Sequence, residues 1–158
     1  METSWIVTAD AGRARIFSQS NLTQPLTEIE DMVNPATRMR TAEKYTDRLG
    51  PTSAGQSIHN TGAATPNKQY EPPQTHEEHE AVSFAKDIST FLLKGQQAGH
   101  FQKLVLIADP KFLGVLRTLL DPHLKPLVKL EINKNYTHSE PQQLREQLRA
   151  HQEKHSAH

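Results

Sequence analysis

One stretch, residues 103–120 (KLVLIADPKFLGVLRTLL), constrains the fold of this chain more than any other. Its first part, residues 104–108, contains no polar side chain, which is typical of a strand covered on both faces in a parallel or mixed sheet. Asp109 and Pro110 then mark a helix start, because the carboxylate can accept from free backbone N–H groups and proline suits the first helical position. The sequence therefore predicts a buried central strand that leads directly into a helix.

The chain before residue 34 predicts a meander of three strands. Residues 5–9 (WIVTA) and 13–17 (RARIF) are short apolar-rich runs, and the sequence Asp-Ala-Gly between them is typical of a hairpin turn. A third run, residues 26–33, alternates weakly, as an exposed strand does. This alternation is expected to separate apolar from acidic side chains, with Ile29 and Val33 on one face and Glu28 and Glu30 on the other.

The second half of the chain predicts three helices and two strands. Residues 75–78 (THEE) form a capping box that opens a long amphipathic helix, and Gly99 suits its C-terminus. Residues 128–132 alternate as a half-buried strand, and residues 139–142 (SEPQ) form a second capping box before a mostly polar helix. The order is βββ-loop-αβαβα, which predicts an α/β protein with a mixed five-stranded sheet of the ribonuclease H-like plan, flanked by helices.

This order divides the chain into one domain over residues 1–138, with a long loop at 34–74, and a C-terminal polar helix with a frayed tail over 139–158. With the first strand beside the fourth, Asp10 and Asp109 are expected to be neighbours at the carboxyl ends of their strands.

Composition restricts the classes of function. The 158 residues include no cysteine, which excludes disulfides and thiolate chemistry, and the 18 Lys and Arg residues equal the 18 Asp and Glu residues, so no global field attracts nucleic acid. Mean hydropathy is −0.68, and no stretch is long enough for a signal peptide core or a membrane span. We therefore expect a cytoplasmic protein without membrane insertion and without a cofactor.

The loop over residues 34–74 is rich in Pro, Gly, Ser, Thr and Asn and lacks sustained periodicity. Structureless loops beyond about 12–15 residues are uncommon in compact domains and are usually functional or disordered. The early part of this loop combines basic side chains, which can meet phosphates, with an aromatic ring, which can stack on a base. These candidate binding residues are Arg38, Arg40, Lys44, Tyr45 and Arg48.

Three stretches, residues 5–17, 104–117 and 132–148, resemble the bacterial host attachment protein family, described as proteins required for attachment to host cells. A fourth stretch, the helix at residues 76–93, completes the resemblance. The fold of that family in turn is similar to the middle domain of eukaryotic and archaeal type peptide chain release factors. The resemblance implies a ribonuclease H-like fold and an attachment role, and it implies no catalytic residue.

The similarity to release factors implies one further hypothesis. Those proteins carry a Gly-Gly-Gln tip between the third strand and the long helix, where this chain has Ala54, Gly55 and Gln56. Gln56 is therefore a weak candidate for peptidyl-tRNA hydrolysis. Alanine in place of the first glycine argues against that activity, because the tip needs an unusual backbone.

A metal-dependent nuclease is the other enzymatic alternative. Asp10, Asp109 and an acid of the long helix, Glu77 or Glu80, could together hold two divalent cations for phosphodiester hydrolysis. Each acid also has an ordinary structural role in a turn or at a helix start. The histidines of the long helix do not form a complete zinc motif, so no metal site is predicted.

The sequence thus favours a non-enzymatic binding module that contacts the ribosome or structured RNA through the loop at 34–74. One alternative is an attachment-related protein that binds another protein or a glycan. The other alternative is the metal-dependent nuclease. The oligomeric state stays open.

Overall fold

The computed structural model describes residues 2–21, 23–37 and 76–156 of the chain. The described strands are β1 (Ser4–Ala9), β2 (Arg13–Gln19), β3 (Thr27–Val33), β4 (Lys103–Ala108) and β5 (Val128–Ile132). The described helices of three turns or more are α1 (His76–Gln97), α2 (Pro110–Leu119) and α3 (Pro141–Ser156), and a 3₁₀ turn (Lys125–Leu127) precedes β5. These elements follow one another in the predicted order. None of the helices described is both long and apolar enough to cross a membrane.

The five strands form one mixed sheet in the order β3-β2-β1-β4-β5. Strand β1 runs antiparallel to β2 and parallel to β4, and β4 runs parallel to β5. The predicted α/β class, the mixed sheet and the contact of the first strand with the fourth are all confirmed. Because Ala9 pairs with Ala108, Asp10 and Asp109 both leave the sheet at the same carboxyl edge.

Each face of the sheet buries its own apolar cluster. Helices α1 and α2 cover one face, where Phe84, Ile88 and Leu116 pack on the alternate residues of the central strands. Helix α3 covers the other face with two anchors, Leu144 and Leu148. Strand β4 lies between the two layers, and its five apolar residues are at most 5 % exposed. This confirms that residues 104–108 form a strand covered on both faces.

Two predicted helix ends are confirmed by their hydrogen bonds. The carboxylate of Asp109 accepts from the backbone N–H of Phe112 at 3.2 Å, so Asp109 caps α2. At the end of α1, Gly99 has a φ of 76°, which L-residues with a side chain rarely adopt. The N–H groups of Gly99 and His100 donate to the carbonyls of Gln96 and Gly95, a Schellman motif. The predicted cap at Thr75 lies outside the described residues.

The start of α3 differs from the expected capping box at residues 139–142. The helix begins at Pro141, and the side chain of Gln143 accepts from the backbone N–H of Glu140 at 3.2 Å. Glu140 is thus the residue that precedes the helix, because Pro141 occupies the first helical position. The box lies one residue later than the sequence pattern indicated.

The two outer strands of the described sheet each contain a β-bulge. In β3 the pairing moves from Ile16–Glu30 to Phe17–Glu28, which leaves Ile29 as the extra residue. Since neighbouring residues of β2 point to opposite faces, Glu28 and Glu30 also lie on opposite faces. The expected placement of both acids on one face is therefore wrong, and the bulge is the reason. In β5 the extra residue is Lys129.

Candidate functional site

A cleft of about 310 Å³ opens at the carboxyl edge of β1 and β4, between the first turns of α1 and α2. Its apolar wall consists of Ala11, Ala81, Val82, Phe112 and Val115. Phe112 is buried, and the side chains of Val82 and Val115 are half-buried. In open α/β sheets, ligands bind in the crevice outside the carboxyl ends of the strands. The cleft is therefore the candidate site.

Charged side chains complete the wall of this cleft. Glu77 and Glu78, in the first turn of α1, and Asp109, at the start of α2, contribute carboxylates, and Lys111 contributes an ammonium group. Glu77, Glu78 and Lys111 are exposed, and Asp109 is half-buried. Both helices begin at this edge, with their free backbone N–H groups there. Acidic side chains are favourable at helix N-termini, because the helix dipole is positive at that end. The cleft thus combines an apolar wall with a predominantly acidic rim.

Beside the cleft, Asp10 joins two separate parts of the chain. Its Oδ1 atom accepts from the backbone N–H groups of Gly12 at 2.8 Å and Arg13 at 2.9 Å, which closes the hairpin turn. Its Oδ2 atom lies 3.2 Å from Asn135 Nδ2 and 3.2 Å from Thr137 Oγ1, in the loop between β5 and α3. Asp10 therefore fixes the β1–β2 turn against that loop.

Arg15 also connects the β-meander to the loop between β5 and α3. Its guanidinium donates to the carbonyls of Thr137 at 3.0 Å and Ser139 at 2.8 Å, and it makes a two-point contact with the carboxylate of Glu28 at 3.0 Å. Its Cζ atom lies 5.0 Å from the centre of the Phe17 ring. Arg15 is only 9 % exposed, so these contacts compensate a charge that is almost fully removed from water.

Asn34 holds the start of the 34–74 segment at the same edge of the sheet. Its backbone N–H donates to Gly12 O at 2.9 Å, and its Nδ2 atom donates to Ala11 O at 2.9 Å. The same Nδ2 atom lies 3.4 Å from the backbone oxygen of Glu80, in α1. The residue that enters the segment and the helix that follows it are thus tied together beside the cleft.

The structure brings some of the predicted site residues together. Asp109 and Glu77, two of the acids named for the nuclease alternative, line one cleft. Asp10 directs both carboxylate oxygens to the turn and the β5–α3 loop, and Glu80 contacts Asn34 through its backbone oxygen. Within residues 2–21, 23–37 and 76–156, no group of three or more Asp, Glu or His side chains could hold a metal ion.

The remaining candidates lie outside the described residues. They are Gln56 and the binding residues Arg38, Arg40, Lys44, Tyr45 and Arg48. Sequence reasoning missed Thr137, Asn135 and the buried role of Arg15. The one signal for Arg15 was its position in the run RARIF, where a charged side chain alternates with inward apolar residues.

We expect Asp10→Ala to lower the free energy of unfolding by about 1–3 kcal/mol, because two backbone N–H groups and the Asn135 amide lose their acceptor. Denaturant titration followed by circular dichroism measures this loss. Asp10→Asn should cost less, since an asparagine oxygen still closes the turn. The matched control is Asp87→Ala, at an exposed position of α1. A loss in Asp10→Ala no larger than in this control would contradict the assigned role.

Together the fold and the site define an α/β domain with a ligand-sized cleft at the carboxyl edge of a mixed sheet. The model of one family, described as protein required for attachment to host cells, matches residues 5–148. The chain belongs to this host attachment family, and the resemblance seen in the sequence is confirmed over most of its length. No curated protein matches the chain.

Proposed function

We propose that this protein is a non-enzymatic binding module that contacts structured RNA, such as a ribosomal surface, through the segment at residues 34–74. The description of its family supports an attachment-related role. The contact with RNA is inferred from the types of residue in the segment. Arg38, Arg40, Lys44 and Arg48 can meet phosphates, and Tyr45 can stack on a base.

One observation carries the proposal: Asn34 and the start of α1, the described residues on the two sides of the segment, lie beside the cleft. Asn34 is hydrogen-bonded to the β1–β2 turn and to the first turns of α1, so the flanks of the segment are fixed at the carboxyl edge. A binding segment gains affinity when the body of the protein holds its ends, because less freedom is lost on binding. The basic residues of the segment carry the charge that attracts phosphate.

We also propose that the domain has a ribonuclease H-like fold and that this fold is similar to the middle domain of release factors. The order of the sheet, with an antiparallel meander followed by two parallel strands, supports that classification. The long segment also lies between the third strand and the long helix, where such release factors carry their functional tip.

The test replaces Arg38, Arg40, Lys44 and Arg48 together with alanine. We expect weaker association with ribosomes and a flatter salt dependence, because each phosphate contact contributes about −0.7 to −0.9 to the log–log slope. Co-sedimentation with ribosomes at two salt concentrations measures both effects. The matched control replaces the same number of exposed lysines elsewhere, namely Lys86, Lys94, Lys125 and Lys129.

A loss of binding confined to the segment variant supports the proposal. Equal losses in both variants would show that only net charge matters, and equal binding by the wild type and the segment variant would exclude the segment as the contact. Circular dichroism must show that both variants are folded. Absence of ribosome and RNA binding by the wild type would favour the second candidate, attachment through a protein or glycan, which the family description supports.

A further inference from the structure

We propose that α3 is a detachable cover, which opens from the sheet as a unit while the five strands, α1 and α2 stay folded. This inference goes beyond the proposed contact of the 34–74 segment with RNA. It rests on three properties of the layer beneath α3. They are its small apolar attachment, its buried polar atoms without partners, and the position of the contacts that hold the preceding loop.

The apolar attachment of α3 is small for a helix of 16 residues. Leu144 and Leu148 are its two buried side chains within residues 141–154, whereas α1 buries six of its 22 residues. From residue 149 to residue 154 the side chains are exposed or half-buried. Most of the stability of a helix in a protein comes from the packing of its apolar face. A helix with two anchors therefore opens more readily than the helices on the opposite face.

The layer beneath α3 also contains two buried polar atoms that make no hydrogen bond with the described residues. They are Oγ1 of Thr8, in β1, and Oε1 of Gln147, between the two anchors of α3. Thr8 is fully buried on the side of α3, because its neighbours Val7 and Ala9 belong to the cluster on the opposite face. A buried polar atom without a partner has lost its water contacts without replacement. Both atoms regain water when the helix leaves, so both favour opening.

The loop that precedes α3 is held independently of the helix. Arg15, in β2, donates to the carbonyls of Thr137 at 3.0 Å and Ser139 at 2.8 Å. These contacts end two residues before α3 begins at Pro141. Residues 139–141 are therefore the hinge, and the loop stays in place when the helix opens.

Opening of α3 leaves the larger apolar cluster intact. Within the described residues, the cluster beneath α1 and α2 includes no residue of α3. The face that α3 uncovers contains side chains that are at most 5 % exposed in the closed protein, namely Ile6, Val105, Ile107 and Ile132. Their contact with water keeps the open state a minor one. In this state one face of the sheet is accessible and the other is not.

Two neighbouring residues of β4 test this difference. Ile107 faces α3, Leu106 faces α1 and α2, and both are fully buried. The chain contains no cysteine, so Ile107→Cys and Leu106→Cys each place a single thiol in the whole protein. Reaction with iodoacetamide under native conditions, followed by mass spectrometry, measures how often each position opens. We expect the thiol at position 107 to react roughly tenfold faster than the thiol at position 106.

Urea titration of each variant gives the population that is globally unfolded, so that a difference in stability is not mistaken for local opening. Equal rates after this correction would overturn the proposal, because the two faces would then open only together. Amide hydrogen exchange of the protein without substitutions is the second measurement. Amides of residues 144–150 should share one opening, roughly tenfold more frequent than that of residues 104–107. Exchange that slows steadily from the end of α3 toward its start would indicate fraying and would contradict opening as a unit.

Gln147→Leu tests the contribution of the buried polar atom. This substitution should slow the reaction of the thiol at position 107 about threefold and leave that at position 106 unchanged. Gln142→Leu makes the same change at an exposed position of the same helix and is the matched control. Equal effects of the two substitutions would overturn the weak interface on which the proposal rests. Failure of this proposal leaves the RNA contact unaffected, because no residue tested belongs to the 34–74 segment.

Discussion

Leu106→Ala is expected to lower the free energy of unfolding by about 2–5 kcal/mol. Leu106 is fully buried in β4, at the centre of the cluster beneath α1 and α2. Its removal leaves a cavity that the two helices and the paired strands on both sides prevent from closing. Urea titration followed by circular dichroism measures the loss.

The matched control for Leu106 is Ile29→Ala, which removes an aliphatic side chain of the same size from the outer strand β3. Ile29 is 39 % exposed, so its loss should cost less than about 1 kcal/mol. A cost for Leu106→Ala as small as that of the control would show that β4 is not the central buried strand.

Gly95→Ala should destabilise the protein by about 1–3 kcal/mol, although alanine is the better helix former. A Cβ atom at position 95 would lie 2.5 Å from Cη2 and 2.6 Å from Cζ3 of Trp5. The indole has little room to move, because it stacks on Phe101 at 4.6 Å and on Phe91 at 5.7 Å. The free energy of unfolding, measured by denaturant titration, gives the size of this loss.

Gly114→Ala is the matched control, since Gly114 also lies inside a helix and a Cβ atom there would meet no atom within 4 Å apart from its chain neighbours and the backbone of its own helix. This variant should gain roughly 0.5–1 kcal/mol from helix propensity. The two glycine substitutions are therefore expected to have opposite signs. In the background of Trp5→Leu, Gly95→Ala should cost much less, because the clashing ring is gone. Losses of equal size in both backgrounds would contradict the steric explanation.

The elements that the sequence predicted correctly depend on local signals. Asp109 with Pro110 defines a helix start within two residues, and Gly99 defines a helix end by its backbone conformation. The unbroken apolar run of β4 indicated burial on both faces, and the structure confirms it. Once the order of strands and helices was known, the contact of β1 with β4 followed from the ordinary geometry of crossover connections.

The contacts that the sequence did not predict join residues far apart in the chain. Arg15 and Thr137 are separated by 122 positions, and Asp10 and Thr137 by 127, so no local pattern relates them. The bulge in β3 is equally hidden, because a single extra residue changes which side chains share a face without changing the composition. The binding residues of the 34–74 segment remain a prediction.

The candidate site was predicted in part. The sequence placed Asp109 and Glu77 at one edge, because each follows from a helix start near a strand end. These acids were considered only within the alternative of a metal-dependent nuclease, and the sequence did not indicate the apolar wall that Val82 and Val115 provide. The sequence indicates these residues only as parts of amphipathic helices, and the cleft depends on how the two helices pack. A pattern along the sequence does not contain the relative position of two helices.

The bulges in β3 and β5 have a consequence for how this protein behaves at high concentration. An outer strand with regular spacing offers a template to which a neighbouring molecule can add its own strand, and that is a common route to aggregation. Ile29 interrupts the regular spacing on one side, and Lys129 does so on the other while adding a charge. Addition of a further strand is therefore disfavoured at both outer strands of the described sheet, which helps to keep copies of this protein apart.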